Sequence, residues 1–598
     1  MIRERLMRLS RLISDGMVIH KDKPFKIWGR ALPGLRIEAC LYKGLECVAK
    51  GQSVCSEEAD SPFGAVRESV PGGRFELFIT PPPAGEGYEL KVTGYKDNDL
   101  IDEVTVKDVA VGLVYIMCGQ SNAGFPMCRV KDTYPEEWYN PNNDYLRTFK
   151  IEEHYEFKAP ISDVLTGEWK AVTSETIDPW CAVGYFAAKS IWQKTGLHVG
   201  IIDATQGGSP IESWMDRQWL KDYPDRLVVA DKYRDDEFVA EVENKNNTEG
   251  IKWREALSSV DKGVKGHWEQ TDADGGEDRL TEAGWKPVKL PAFLWETEIG
   301  HTTGSIWFKK KFEVKYSELI NVDSHLWLGT MTDADITYVN GREVGRTEYS
   351  YPPRRYVIPA GTLHEGINEV TVRLSIERGM GRITPHKLLA IFSGDTVRYI
   401  DDNDDEHVRW RDEAATGAAE LSSHPFIDLS GTWYYRVGAT CEEIPPYEFL
   451  CWKPTALYNG VLAPCLNYPI GAFMWYQGES NTDESRKQYY DLTMAQARGI
   501  REACGDKKLP YVYARLPRFD LNCYEGSYEE PPAGMTEAEY YDMRRLGWSD
   551  MQDVQMKLAS EPYMYMADST GLGEGYDLHP QDKKPLGEAY TDILLKLI

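Results

Sequence analysis

Nine consecutive residues, Val109-Ala110-Val111-Gly112-Leu113-Val114-Tyr115-Ile116-Met117, are almost wholly apolar and rich in β-formers. They run directly into Cys118-Gly119-Gln120-Ser121-Asn122-Ala123. A run of this length and composition reads as a buried strand. In open α/β sheets, sites form outside the carboxyl ends of strands. Gly119 relieves the tight turn that leaves the strand, and Ser121 then stands exposed with its own N–H facing the same space. A nucleophilic serine needs that arrangement: an accessible Oγ with a backbone donor beside it for an oxyanion. A serine after a strand is also an ordinary turn or N-cap residue, so the stretch needs support from elsewhere in the chain.

At 598 residues the chain exceeds one ordinary core, and three or four domains are expected. Its 18 Trp and 35 Tyr suit a carbohydrate-handling protein and equally suit all-β cores. A formal charge of −27 argues against nucleic acid or an anionic membrane surface as partner, while leaving room for a single anionic sugar at a local basic patch. No apolar run reaches membrane-spanning length. The segment Met1 to Leu9 has basic residues without an apolar stretch behind them, so no signal peptide is expected. Eleven cysteines without a CxxC pair fit free thiols in a reducing compartment, and a cytoplasmic location is expected.

The texture changes three times along the chain. Residues 1–105 alternate in short runs such as Phe25-Lys26-Ile27-Trp28 and Tyr88-Glu89-Leu90-Lys91-Val92, which predicts a β-sandwich. Residues 106–216 mix strand and helix patterns. A helix is expected from Asp178 to Lys194, capped by Gly196, followed by a strand His198 to Ala204 that ends in Thr205-Gln206-Gly207-Gly208-Ser209-Pro210. Residues 217–438 begin as polar helix and become β-rich, with a hairpin signal at Asn340-Gly341. The acidic stretches Asp272–Asp278 and Asp401–Glu406 lack calcium-loop spacing and read as solvated loops. Residues 439–598 return to α/β texture. There the strand Ile470 to Tyr476 runs into Gln477-Gly478-Glu479-Ser480-Asn481, and Asp577-Leu578-His579-Pro580 precedes a terminal helix. The simplest organisation is one α/β domain, 106–216 with 439–598, split by a β-rich insertion.

The α/β pieces hold three histidines: His154, His198 and His579. His198 begins a buried strand and His154 lies in a polar, aromatic segment, which leaves His579 as the candidate. Asp577, two residues before it, can meet Nδ1–H in an extended or turn conformation while Nε2 faces a nucleophile. A surface loop has the same pattern.

Four blocks together resemble those of the sialate O-acetylesterase-like family of the SGNH hydrolase superfamily. They are Cys118-Gly119-Gln120-Ser121-Asn122, Gly207-Gly208 with Ser209-Pro210-Ile211-Glu212-Ser213-Trp214, Trp475-Tyr476-Gln477-Gly478-Glu479-Ser480-Asn481, and Asp577-Leu578-His579-Pro580. They occur in the family's order, and the inserted segment is similar to the sugar-binding jelly roll of β-galactosidase-type glycosidases. The resemblance implies a three-layer α/β/α hydrolase domain interrupted by a jelly-roll insertion and preceded by a β-sandwich. It implies a carbohydrate O-acetylesterase that uses no metal or organic cofactor, with an acetylated hemicellulose oligosaccharide or an O-acetylated sialic acid as substrate. Ser121 would be the nucleophile, His579 the base and then the acid, and Asp577 the residue that orients the imidazole. The N–H groups of Ser121 and Gly208 with the Gln477 amide would form the oxyanion hole, Asn481 being the alternative third donor. Glu479 is the rival third carboxylate, and Gln120, Asn122 and Trp214 would bind substrate or support the site.

Overall fold

The computed structural model describes residues 6–598 except 57–71, 132, 271–276, 316, 394–395, 401–405, 411–425, 483, 520–536 and 576. The two acidic stretches thus fall mostly outside the described residues. The fold is mixed α/β and mostly sheet.

The apolar run expected as a strand is the second half of a longer one, Asp99–Gly119. Its first half pairs antiparallel with Gly85–Lys96, and from Leu113 onward it pairs parallel with Val199–Thr205. The expected boundary at 105 therefore falls inside a continuous strand, and the N-terminal β structure shares an 11-stranded sheet with the α/β part. One hydrophobic cluster joins them, from Met7 to Leu594. Each fully buried Val, Ile or Leu in it contributes about 1.5–3 kcal/mol.

Six neighbouring strands of this sheet run parallel along one unbroken path. Their spatial order is Asn143–Lys150, Val199–Thr205, Asp99–Gly119, Ala472–Tyr476, Tyr511–Ala514, Met564–Ala567. The chain fills one side of Asp99–Gly119 first, laying down Asn143–Lys150 and then Val199–Thr205 inside it, and afterwards builds outward on the other side. The order thus reverses at that strand, where an α/β sheet opens a crevice for ligands. Ala472–Tyr476 is buried at every residue, as a parallel strand covered on both faces must be.

Helices pack on this sheet. Ala182–Thr195 begins later than the periodicity suggests and ends on Gly196, whose φ of 70° lets its N–H cap the Trp192 carbonyl. It packs on the last helix, Lys584–Leu594, where Gly587 fits against Phe186. Tyr511 and Tyr513 lie on one side of their strand and bond to Gln496 and to the Gln555 carbonyl. The helices Arg486–Ala503 and Glu537–Leu558 therefore cover the same face.

The inserted segment has its own apolar cluster, from Val288 to Tyr435. A six-stranded antiparallel sheet runs Lys286–Leu290, Gly431–Thr440, Gly304–Val314, Gly366–Ile376, Ala334–Val339, Arg342–Thr347, beside a four-stranded sheet through Ser324–Leu328 and Leu389–Phe392. The expected hairpin is present: Asn340 and Gly341 take φ of 49° and 79° between paired strands. The cysteines depart from expectation. Cys40 and Cys47 lie on neighbouring strands, offset in register, with Cα atoms 5.9 Å apart, and form a disulfide.

Gly119 has φ 135°, and a Cβ there would run into the Tyr476 carbonyl oxygen of the next strand. Gly119→Ala is expected to lower stability by about 2–4 kcal/mol, read from the urea midpoint. An unchanged midpoint would show that the strand end can shift.

Candidate active site

In the parallel register Gly119 lies opposite both Thr205 and Tyr476. The turns after these three strands therefore leave the sheet at one level. They carry Gln120-Ser121-Asn122, Gln206-Gly207-Gly208 and Gln477 to Asn481. The fourth block starts farther away, because Met564–Ala567 lies three strand spacings from Asp99–Gly119, about 14 Å. The 12 residues from Ala567 to His579 cross that gap easily.

The crossing brings His579 Nε2 to 2.8 Å from Ser121 Oγ. The imidazole lies between two rings: Phe125 stacks parallel at 6.1 Å, and Tyr351 of the inserted segment meets it edge-on at 4.7 Å. Burial holds the His579 pKa down at about 4, opposed by Asp577 and aided by Lys583, Arg129 and Arg382. The imidazole is thus neutral over most of the pH range and can accept a proton.

Asp577 does not sit where the Asp-x-His spacing suggested. Its Oδ1 accepts the backbone N–H of His579 at 2.9 Å, and its Oδ2 lies 3.1 Å from Lys387 Nζ. Both oxygens are claimed, and the buried Nδ1 of His579 has no hydrogen-bond partner among the described residues. Burial works to raise the Asp577 carboxyl, but Lys387 and His579 outweigh it and hold the group below the usual carboxylate range. Asp577 acts on the imidazole through its charge and through the backbone.

The backbone N–H groups of Ser121 and Gly208 carry no hydrogen bond among the described residues, and both residues line the cleft. Gly208 has φ 68°, and a side chain there would collide with the Trp452 ring. Gln477 is not in this company. It is fully buried: its Nε2 donates to Asn481 Oδ1 at 2.6 Å, and its Oε1 accepts from Tyr489. Asn481 is spent likewise, accepting the Ile211 N–H and donating to Glu212. The side-chain amide at the cleft wall is that of Gln120. Its Oε1 accepts the Ser480 N–H at 3.2 Å, which fixes the orientation and turns Nε2 to a side with no partner among the described residues.

Asn122 and Glu479 form a buried support. Asn122 Nδ2 donates to Glu479 Oε1 at 2.7 Å and to the Leu578 carbonyl at 3.0 Å, while its Oδ1 accepts from Lys583 at 2.6 Å. Asn122 thereby ties the nucleophile turn to the residue before His579. Burial raises the Glu479 carboxyl, against the bond from Asn122, and lowers the Lys583 ammonium to about 8, against Glu479 and three other carboxylates. Trp214 is buried, donates to Ser209 Oγ and packs edge-on against Trp475, so it supports the glycine turn without touching the cleft.

His198 is elsewhere, paired with Glu86 at 3.1 Å and stacked on Tyr145. Sequence reasoning missed Lys583, Lys387, Glu574 and Tyr351. In Gln581-Asp582-Lys583-Lys584 the charges look solvated, and nothing local marks the buried one. Among the described residues no group of three or more His, Cys, Asp or Glu is arranged to hold a metal ion, and no helix is long and apolar enough to cross a membrane.

The cleft above Ser121 measures about 1470 Å³ and runs between the α/β part and the inserted segment. One wall carries Tyr447, Phe449 and Trp452 in a row, with centroids 4.7 and 3.8 Å apart.

No protein-family model matches the chain. Among curated proteins it is similar to the sialate O-acetylesterases of Homo sapiens and Mus musculus, at 22% and 21% identity over 222 residues. The match covers 36% of this chain and 40% and 38% of theirs, so the chain spans about two fifths of the curated relatives it matches. Among solved structures, a carbohydrate acetylesterase from Xanthomonas citri aligns over 97% of this chain and 73% of that one, with 18% identity and a TM-score of 0.48. A β-glucuronidase from Lactobacillus rhamnosus aligns over 29% of this chain and 25% of that one, with 19% identity and a TM-score of 0.16. The curated matches bear out the resemblance carried by the four blocks: the chain is similar to the sialate O-acetylesterase-like carbohydrate esterases.

Proposed function

We propose that this protein is a carbohydrate O-acetylesterase that works through an acetyl-enzyme on Ser121. The observation that carries the reading is the 2.8 Å separation of Ser121 Oγ and His579 Nε2, two groups 458 residues apart. Ser121 attacks the acetyl carbonyl as His579 takes its proton. The oxyanion that forms is held by the N–H groups of Ser121 and Gly208 and by the Gln120 amide. His579 returns the proton to the sugar oxygen, which leaves as an alcohol, and water then hydrolyses the acetyl-enzyme with His579 as base. Asp577 keeps a negative charge near the imidazolium and holds its backbone.

The same reading takes the helices on the parallel sheet as an SGNH-type α/β/α arrangement, built from residues 106–216 and 439–598. Residues 217–438 are the jelly-roll insertion and 1–105 a β-sandwich joined to the hydrolase through the shared strand. The cleft exceeds the roughly 300–1,000 Å³ usual for a small-molecule site. With a row of aromatic faces along one wall, it suits several sugar rings, and a hemicellulose-derived xylo- or xyloglucan-type oligosaccharide is the preferred substrate. A sialate is the second reading, favoured by the guanidinium of Arg129 in the cleft. Acetate release from acetylated xylo-oligosaccharides and from O-acetylated sialic acid, measured side by side, decides between them. A protein that binds glycans without turnover would release acetate from neither.

Three outcomes are expected. Ser121→Ala, still folded by circular dichroism, loses about 10³–10⁶ in turnover of an aryl acetate. Retention of activity would end the proposal. Gln120→Leu lowers kcat by about 10²–10³ with KM little changed, because it removes a donor needed mainly by the oxyanion. A wild-type kcat would return that role to another group. Finally, kcat/KM falls on the acid side as pH drops through about 4, since His579 must be neutral to act and its pKa is depressed to that value. A half-maximum near the ordinary histidine value would show the imidazole to be solvated in the working enzyme.

A further inference from the structure

We propose that Lys387, from the inserted segment, is a positioning residue for the hydrolytic pair: it pins the loop that carries His579 and keeps Asp577 ionised, so the insertion completes the active site. The role rests on the acyl-transfer reading above.

Lys387 is 6% exposed, and its ammonium reaches out of the insertion into the α/β part. It lies 3.1 Å from Asp577 Oδ2 and also donates to Glu574 Oε2. The two carboxylates shape one loop. Glu574 Oε1 accepts the Gln581 N–H at 3.0 Å, the Asp577 N–H donates to the Glu574 carbonyl, and Asp577 Oδ1 accepts the His579 N–H. One cation thus anchors both ends of the turn that presents the imidazole.

The insertion is shaped to deliver it. His386 takes φ 60° in the turn before Leu389–Phe392, and Gly329, at φ 62°, leaves space where a Cβ would stand 2.6 Å from Lys387 Cβ. Burying an ammonium is costly unless it is paired, and here its partners come from a different part of the chain. A glycan-binding appendage has no need of such a group. Neighbouring contacts on the same wall, Arg355 to the Cys128 carbonyl at 3.1 Å and Arg129 to Tyr349 at 2.7 Å, keep the two parts in register.

The charges around the pair fix the sign of the test. Asp577 faces Lys387 and His579, and His579 faces Asp577, Lys583, Arg129 and Arg382. Lys583 in turn faces Glu479, Glu574 and Asp582. Removing the Lys387 charge raises the proton affinity of both Asp577 and His579. Removing the Glu574 charge lowers both.

The experiment measures kcat, KM and the acid limb of kcat/KM for aryl acetate hydrolysis by the full-length enzyme, with thermal unfolding as a control. Lys387→Met is expected to lower kcat by about 10- to 100-fold with KM within about two-fold. It should also move the acid limb up by about one pH unit. Lys387→Arg should recover most of the activity. Glu574→Gln should move the limb the opposite way, which a purely structural loss would not do. A folded Lys387→Met variant whose acid limb stays at the wild-type position overturns the proposal, whatever its kcat. If that variant does not fold, an unmoved limb in Glu574→Gln overturns it instead. A wild type that does not hydrolyse the ester overturns the acyl-transfer reading and this role with it, whereas an active wild type with an indifferent Lys387→Met overturns the role alone.

Discussion

Three strand ends in register, at Gly119, Thr205 and Tyr476, set the position of every group at the base of the cleft. A parallel sheet has evenly spaced strands, so turns leaving neighbouring strands at one level are a few ångströms apart by construction. The chain needs no long-range device to bring Ser121 beside Gly208. It needs only that the middle strand end without a side chain, because the Gly119 Cα lies against the Tyr476 carbonyl. The reversal of strand order at Asp99–Gly119 then keeps the space above those ends from being filled by a crossing connection.

Placing His579 is a different problem, since its loop comes from a strand at the sheet edge. Here buried polar side chains do what register does elsewhere. Asn122 has every hydrogen-bonding atom of its amide occupied, by Glu479, the Leu578 carbonyl and Lys583. A buried amide satisfied in this way resists displacement, because moving any partner leaves a polar group unpaired at a cost of about 1–3 kcal/mol. Gln477 and Asn481 act alike one layer down, locking the Ser209 turn to the end of Ala472–Tyr476. Their amides give the glycine turn its shape and have none left for a ligand.

This difference explains what could be read from the sequence. The parallel strands were legible because a strand covered on both faces must be apolar along its length, as Ala472 to Tyr476 is. The turns were legible because each glycine- or serine-bearing block, ordinary by itself, follows an apolar strand and the blocks occur together in one order. The Asn340-Gly341 hairpin declared itself by backbone chemistry alone. The shared strand at 105 was not legible: Asp102 to Lys107 alternates like a half-exposed strand while Val109 to Met117 does not, and a change of partners looks like a domain boundary. Gln477 and Gln120 have the same donors and both follow a strand, and which of them lines the cleft depends on neighbours such as Tyr489 and Ser480 that no local pattern reveals. Lys387 lay outside any pattern, because its partners are almost two hundred residues away in the chain.

The β-rich part of the insertion has an apolar cluster separate from that of the α/β part, while the helical start of the insertion packs on the α/β part through Tyr233 and Val242 against Phe157 and Leu450. Hydrophobic burial is non-directional, so apolar packing by itself does not fix how two such parts are set against each other. A wall that must hold Tyr351 edge-on to the His579 ring tolerates no such freedom. Directional contacts supply the missing constraint: a lysine between two carboxylates, an arginine on a backbone carbonyl, a guanidinium on a tyrosine hydroxyl. Ionic groups in such places contribute little net stability once desolvation is counted, and their use is to select one arrangement over its neighbours. The same desolvation that makes the Lys387 pair expensive strengthens its field at Asp577 and excludes water from the far side of the imidazole. The joint between the two parts of the chain and the electrostatics of the cleft are therefore made by the same few atoms.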